Sequence, residues 1–390
     1  MATIQRVGEE LLINTTGGLN YQPTITGSGG PVNESILIAW NSASENQFRG
    51  QWIEAVGGTK NGENFIIPTS PIGVISKPSI DGLFYPGGFV AVWLDEGDRK
   101  IKGQRYTAAG SKVGDEFQVG GAAGEGALRP VILVLNPDSF VVAWTGNNLN
   151  ASPSERPRPW MQIFSTDGTS LGSFPVNTTM DEDNPFHYGP QITRLADGRF
   201  VIAWTQDLIF GGPRVLGQIF NPDGSKSGEE FRINTRSVPR QENIAITGIV
   251  DGNFVGAWVA GDNTVRAQLF RPDGTNVYNF EFFITGRDQG ICRNPALTPL
   301  NDGGFVAAWT EKSATSGDPS GDAVRAQAFA ADGFENSSKI LINTTTNGDQ
   351  FGPVMTSSFP IFNHFTVAWV SNDNPNSNDY FVRAQVFQVT

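Results

Sequence analysis

Five tryptophans are each followed, eight to sixteen residues on, by a basic residue: Trp40 with Arg49, Trp93 with Lys102, Trp258 with Arg266, Trp309 with Arg325, and Trp369 with Arg383. An indole face stacks on a sugar ring, and a guanidinium or ammonium group donates hydrogen bonds to its hydroxyls. Brought side by side, such a pair has the chemistry of a carbohydrate site. The same residues also have a structural reading, in which the tryptophan fills a core and the cation stacks on it or pairs locally. A second set of aromatics falls outside the repeating positions: Trp160, Tyr188, Phe210, Phe351 and Tyr380, with Trp52 and Phe186. These suit ligand contact, against a structural reading in which they cap the edge of the core.

Other chemistry finds less support. The two histidines are His187 and His364, and the single cysteine is Cys292. The strand pattern puts the histidines on opposite faces and Cys292 in a loop with no nearby histidine. No Gly-x-Ser-x-Gly, phosphate-loop or zinc spacing occurs. No Asp-x-Asp-x-Asp-Gly loop offers the alternating oxygens that calcium needs. Neither a metal nor a cofactor is expected. A glycoside hydrolase needs two carboxylates that meet only in space. Asp181, Glu182, Asp183 and Asp349 are the first to inspect for that alternative.

The elements that must position these residues come from an internal repeat. Seven tryptophans, at 40, 93, 144, 204, 258, 309 and 369, lie 51 to 60 residues apart. Asp302 to Trp309 is the clearest copy: a tight-turn signal running into an apolar strand that ends on tryptophan. A unit this short cannot bury a core alone, so neighbouring units must stack. Each unit reads as four strands. The first is short and usually entered through proline (Pro23, Pro78, Pro130, Pro190, Pro295, Pro353), where a sheet loses no hydrogen bond. The second ends on tryptophan. The third carries Gln51, Gln104, Gln162, Gln218, Gln268, Gln327 or Gln385. The fourth follows a Pro-Asp-Gly type turn and reads like Glu230 to Thr235.

The chain starts on a fourth-type run, Gly8 to Thr15, and stops after a third-type run, Phe381 to Phe387. Pairing them closes a ring and removes two exposed sheet edges. The expectation is an all-β, seven-bladed propeller of four-stranded antiparallel blades. It forms a single domain over residues 1–390, with residues 1–15 pairing against 350–390 in the closing blade. Its long connections, between strands two and three and between blades, form the candidate binding face.

The phrases resemble tandem repeats of large bacterial, including cyanobacterial, secreted and surface proteins. Asp302 to Trp309, Gln218 to Phe220, Asp223-Gly224, Gly228 to Phe231 and Asn343 to Thr345 carry the match. The resemblance implies a repeat type rather than an activity. At the level of fold the chain is also similar to seven-bladed propeller lectins. Calcium-binding Gly-Gly-x-Gly-x-Asp nonapeptides, which often accompany such repeats, are absent.

A net charge of −12 leaves no basic face for nucleic acid. No apolar run is long enough to insert in a membrane. One cysteine precludes an internal disulfide. No signal peptide is visible, and an extracellular or cell-surface location is expected from the resemblance, with a cytoplasmic one as the alternative. The leading functional expectation is a non-catalytic module recognising a glycan or cell-surface polysaccharide at repeated shallow sites. The rival is a protein-interaction or self-assembly scaffold.

Overall fold

The computed structural model describes the chain except for residues 28–34, 68, 71–74, 85–86, 122–128, 147–157, 179–185, 208–211, 236–241, 287–289, 313–317, 319–320, 359–362 and 374. The protein is an all-β, seven-bladed propeller of seven four-stranded antiparallel sheets. Inner strands of successive blades pack side by side around the ring, from Asn20–Gly27 in blade one to Gln350–Ser357 in blade seven and back to the first. In blade seven the order runs from Gln350–Ser357 through His364–Ser371 and Phe381–Val389 to the N-terminal strand Ile4–Leu12. That strand pairs Ile4 with Val389 and Leu12 with Arg383, so the two ends of the chain complete one sheet.

The second strand of each blade is buried on both faces, which is why Phe305 to Trp309 contains no polar residue. Its alternate side chains enter the cores on either side of the blade. Val306 and Ala308 of blade six pack with Val367 and Trp369 of blade seven, while Phe305, Ala307 and Trp309 pack back onto blade five. The core is therefore divided among blade interfaces. Each tryptophan packs against the apolar residue that ends the preceding blade's outer run: Ile13 under Trp40, Ile233 near Trp258, Ile342 beside Trp369. At the opposite end of strands two and three, stacked rings such as Phe254–Phe270 and Phe305–Phe329 (5.0 Å between centroids in each) close blades two to seven.

Two repeated amides account for their own conservation of position within the repeat. The third-strand glutamines are buried, and six of them donate to backbone carbonyls at or near the start of the outer strand, Gln162 donating instead to the Ser170 hydroxyl. Gln218 Nε2 reaches Gly228 O at 3.0 Å, and Gln385 Nε2 reaches Val7 O at 2.9 Å. The asparagines at the end of the outer run accept from the first amides of strand three: Asn14 from Val382, Asn234 from Val215, Asn343 from Val324. Each satisfies a backbone group that would otherwise be stranded between blades.

Candidate functional site

The register places every paired tryptophan and basic residue directly opposite one another: Trp40 with Arg49, Trp93 with Lys102, Trp258 with Arg266, Trp309 with Arg325, and Trp369 with Arg383. The geometry nevertheless corrects the expectation of a sugar site at each pair. All of these indoles are sealed in the blade interfaces, exposed by no more than 1%. No ring face is left for a ligand, because the preceding blade's outer run covers it.

The cations have a different employment. Arg383 donates to Glu10 Oε1 at 2.9 Å and to Asp373 Oδ2 at 2.5 Å. Glu10 in turn accepts the Thr344 and Thr345 hydroxyls, each at 2.7 Å, from blade six. Arg266 repeats the arrangement through Glu281 at 3.1 Å, whose other oxygen takes the amide and hydroxyl of Thr235 in blade four, both at 2.8 Å. In blade one Arg49 bonds Asn64, which reaches Thr15. Lys102 pairs with Asp95 and Asp98, and Arg325 with Glu311. In blades one, five and seven these residues form a relay in which a cation on strand three orients an acid or amide that clasps the blade before it, whereas Lys102 and Arg325 pair with acids of their own blade. Burial opposes the charge on Glu10, but hydrogen bonds from Thr344 and Thr345 prevail and hold its carboxyl below the usual range.

The remaining sequence candidates disperse. Trp160 lies on the third strand of blade three, nearly buried under the Arg158 guanidinium, which stands 4.6 Å from its ring centre. Phe351 and Tyr380 do meet, edge to face at 6.0 Å and half-buried, where blade seven faces the long connections. Tyr188 falls on the inner strand of blade four. Phe210, Asp181, Glu182 and Asp183 lie outside the described residues. His187 pairs in register with Gln206 near the end of one second strand, and His364 begins another, so they sit at opposite faces. Cys292 is in the inner strand of blade six rather than a loop, and burial pushes its thiol up to about 11, away from reactivity. Among the described residues, no group of three or more His, Cys, Asp or Glu is gathered as a metal site.

One feature that sequence reasoning overlooked is a ring around the central channel. In six blades the inner strand bulges near its start, between Tyr21 and Thr24, Ser76 and Ser79, Tyr188 and Gln191, Glu242 and Ala245, Arg293 and Ala296, and Phe351 and Val354. The bulge residue adopts the left-handed conformation in five of them: Gln22 (φ +54°), Gly189 (+45°), Asn243 (+51°), Asn294 (+51°) and Gly352 (+65°). Lys77 and Arg129 hold the corresponding place in blades two and three, also immediately before a proline. Bulges re-aim side chains and cluster where function needs it.

Gln22, Arg129, Gly189, Asn243, Asn294 and Gly352 all line one cavity of about 900 Å³, which opens among the long connections. Pro23, Ile25, Phe351 and Met355 supply apolar wall, and Asp207 is its one lining carboxylate among the described residues. Asp81, in the inner strand of blade two, already accepts the Thr26 hydroxyl and the amides of Gly82 and Val134. The sequence signal was available: the residue before each inner-strand proline is polar or glycine, never apolar.

No protein-family model matches the chain, and no curated protein matches it in sequence. Solved structures do match in shape. A protein of unknown function from Dyadobacter fermentans is similar at 11% identity and TM-score 0.56, over 99% of both chains. An α-L-arabinofuranosidase of Fusarium graminearum, in complex with arabinobiose, is similar at 9% identity and TM-score 0.53, over 80% of this chain and 92% of that one. A prolyl endopeptidase is similar at 12% identity and TM-score 0.54, over 93% of this chain and 46% of that one. Likeness this remote, spread over unrelated chemistries, establishes the propeller fold alone.

Proposed function

We propose that this propeller is a non-catalytic carbohydrate-recognition module whose binding site is the central cavity on the long-connection face. The observation that carries the reading is the bulge ring. A recurring left-handed backbone presents amides at Gln22, Asn243 and Asn294 and bare backbone at Gly189 and Gly352 around one cavity, to which Arg129 adds a guanidinium. Side-chain amides donate and accept at once, which suits hydroxyl groups, while Phe351 and the prolines offer apolar contact to the C–H faces of a sugar. The arabinobiose held by the Fusarium propeller is a precedent for sugar on this architecture. Among the described residues Asp207 is the one carboxylate lining the cavity, where glycoside hydrolysis ordinarily uses a pair.

The test is a glycan array followed by titration, with the double variant Asn243→Gly/Asn294→Gly beside the natural protein. Glycine keeps the left-handed backbone and removes only the amides. A hit whose affinity falls about tenfold or more in the variant supports the reading. No saccharide hit, or a hit indifferent to both asparagines, overturns it. Reducing-sugar release from arabinan, abolished by Asp207→Asn, would instead make the cavity an active site.

A further inference from the structure

The rim of the propeller departs from the repeat in several blades, and two of these departures, in blades five and six, meet. At the start of the outer strand, four blades place a left-handed glycine: Gly8 (φ +71°), Gly62 (+72°), Gly114 (+70°) and Gly228 (+80°). The third-strand glutamine donates to that glycine's carbonyl, as Gln51 does to Gly62 and Gln218 to Gly228. In blade five Gln268 donates to Tyr278 instead, at 2.6 Å, so a tyrosine occupies the glycine position. From there the chain takes three steps to reach the clasping Glu281, where Gly8 and Gly228 need two to reach Glu10 and Glu230. Blade five thus holds one extra residue, and the segment carries Phe280, 52% exposed.

The second break is in blade six. The residue after the Asp-Gly turn is Thr169, Ser225 or Thr275 in blades three to five, and the last two donate to their turn aspartate at 2.6 Å. Blade six has Phe334 there, 61% exposed, and forgoes that bond. Tyr278 and Phe280 stack at 5.2 Å and 18°, and Phe334 stands 6.3 Å from Tyr278 at 60° to it. Three departures from a repeat that works without them converge on one spot, and two of them hold large apolar rings in water. Fold stability supplies no reason for that.

We propose that Tyr278, Phe280 and Phe334 form a second saccharide-binding platform, independent of the cavity and specific for neutral sugars. The stacked pair provides a flat floor for the C–H face of one sugar ring, and Phe334 a wall against its edge. Exposed Asn279 and Glu335 stand in the same two segments to receive hydroxyls, whereas Asp273, Asp332 and Glu335 disfavour an acidic sugar. Size argues against a protein partner. Three rings match the footprint of a sugar or two, while a stable protein interface buries about 800 Å² on each side. The platform lies with the third-to-fourth-strand turns, on the short-connection side of the rim, so it and the cavity face opposite ways.

The experiment titrates the full chain with linear neutral hexasaccharides of glucose, xylose, arabinose and galactose, by calorimetry and saturation-transfer NMR. The rim variant is Phe280→Ala/Phe334→Thr, in which threonine restores the residue of the other blades and keeps the turn intact. Binding of at least one hexasaccharide, weakened about tenfold by the rim variant but retained in Asn243→Gly/Asn294→Gly, is the expected result. The proposal falls if no hexasaccharide binds, or if the rim variant binds as the natural protein does. It also falls if that variant alters only self-association in light scattering, which would make the patch a contact between copies. Loss in the asparagine variant alone would leave the cavity reading standing and remove this one.

Discussion

The outer wall of the propeller and the lining of its channel are built from the same repeat and use it in opposite ways. At the wall, side chains recur and their polar atoms are consumed: Arg266 by Glu281 and Asp262, Glu281 by Thr235, Arg383 by Glu10 and Asp373. In the channel, the backbone recurs and the side chains differ. One left-handed bulge carries glutamine, glycine or asparagine according to the blade. Repetition of a side chain therefore marks a joint between blades. Repetition of a conformation under changing side chains marks a surface free to acquire specificity.

That contrast can be broken most forcefully at the closing blade. Deleting residues 1–12 removes the whole outer strand and the Glu10 clasp, and should lower the melting temperature by more than about 10 °C or abolish a cooperative transition. Next in size, Trp204→Ala should cost about 3–5 kcal/mol in denaturant unfolding, because the indole is fully enclosed between blades three and four. A smaller loss would mean that the interface collapses around the cavity.

Glu281→Ala strands the Thr235 amide and leaves Arg266 to Asp262 alone, and should cost about 1–3 kcal/mol, with Glu281→Gln recovering part of it. Acidification addresses the same relay. The Glu10 carboxyl titrates below its ordinary value of 4.5 when folded, so its contribution is complete above that pH and fades as pH falls through the folded value. The stability gap between the natural protein and Glu10→Gln, followed by melting temperature, should be widest near neutrality and shrink in acid. Least affected in stability should be Asn243→Gly/Asn294→Gly, within about 1 kcal/mol, since glycine accepts the positive φ more readily than asparagine. A wall variant that leaves stability unchanged, or a channel variant that unfolds the protein, would erase the distinction between the two regions.

Much of the frame was legible from residue order. The spacing of Trp40 through Trp369 counts the blades, the uninterrupted apolar run Phe305 to Trp309 marks a strand covered on both faces, and the offset of Gly8–Thr15 against Phe381–Phe387 anticipates how the ring closes. These are local patterns, and local patterning is enough to specify strand, turn and period. Adjacency was legible too, since each tryptophan does lie opposite its basic partner.

Accessibility was not. Whether Trp309 shows a face to solvent depends on Ile284, in the preceding blade, and whether Arg383 is available depends on Glu10, at the other end of the chain. The side chain at a bulge points into the channel only because seven inner strands converge there, and Tyr278 meets Phe334 only because blades five and six abut. Sequence determined which strands form and in what order. Tertiary structure alone decided which side chains neighbouring blades consume and which they leave lining the cavity, because burial and pairing are properties of two blades together.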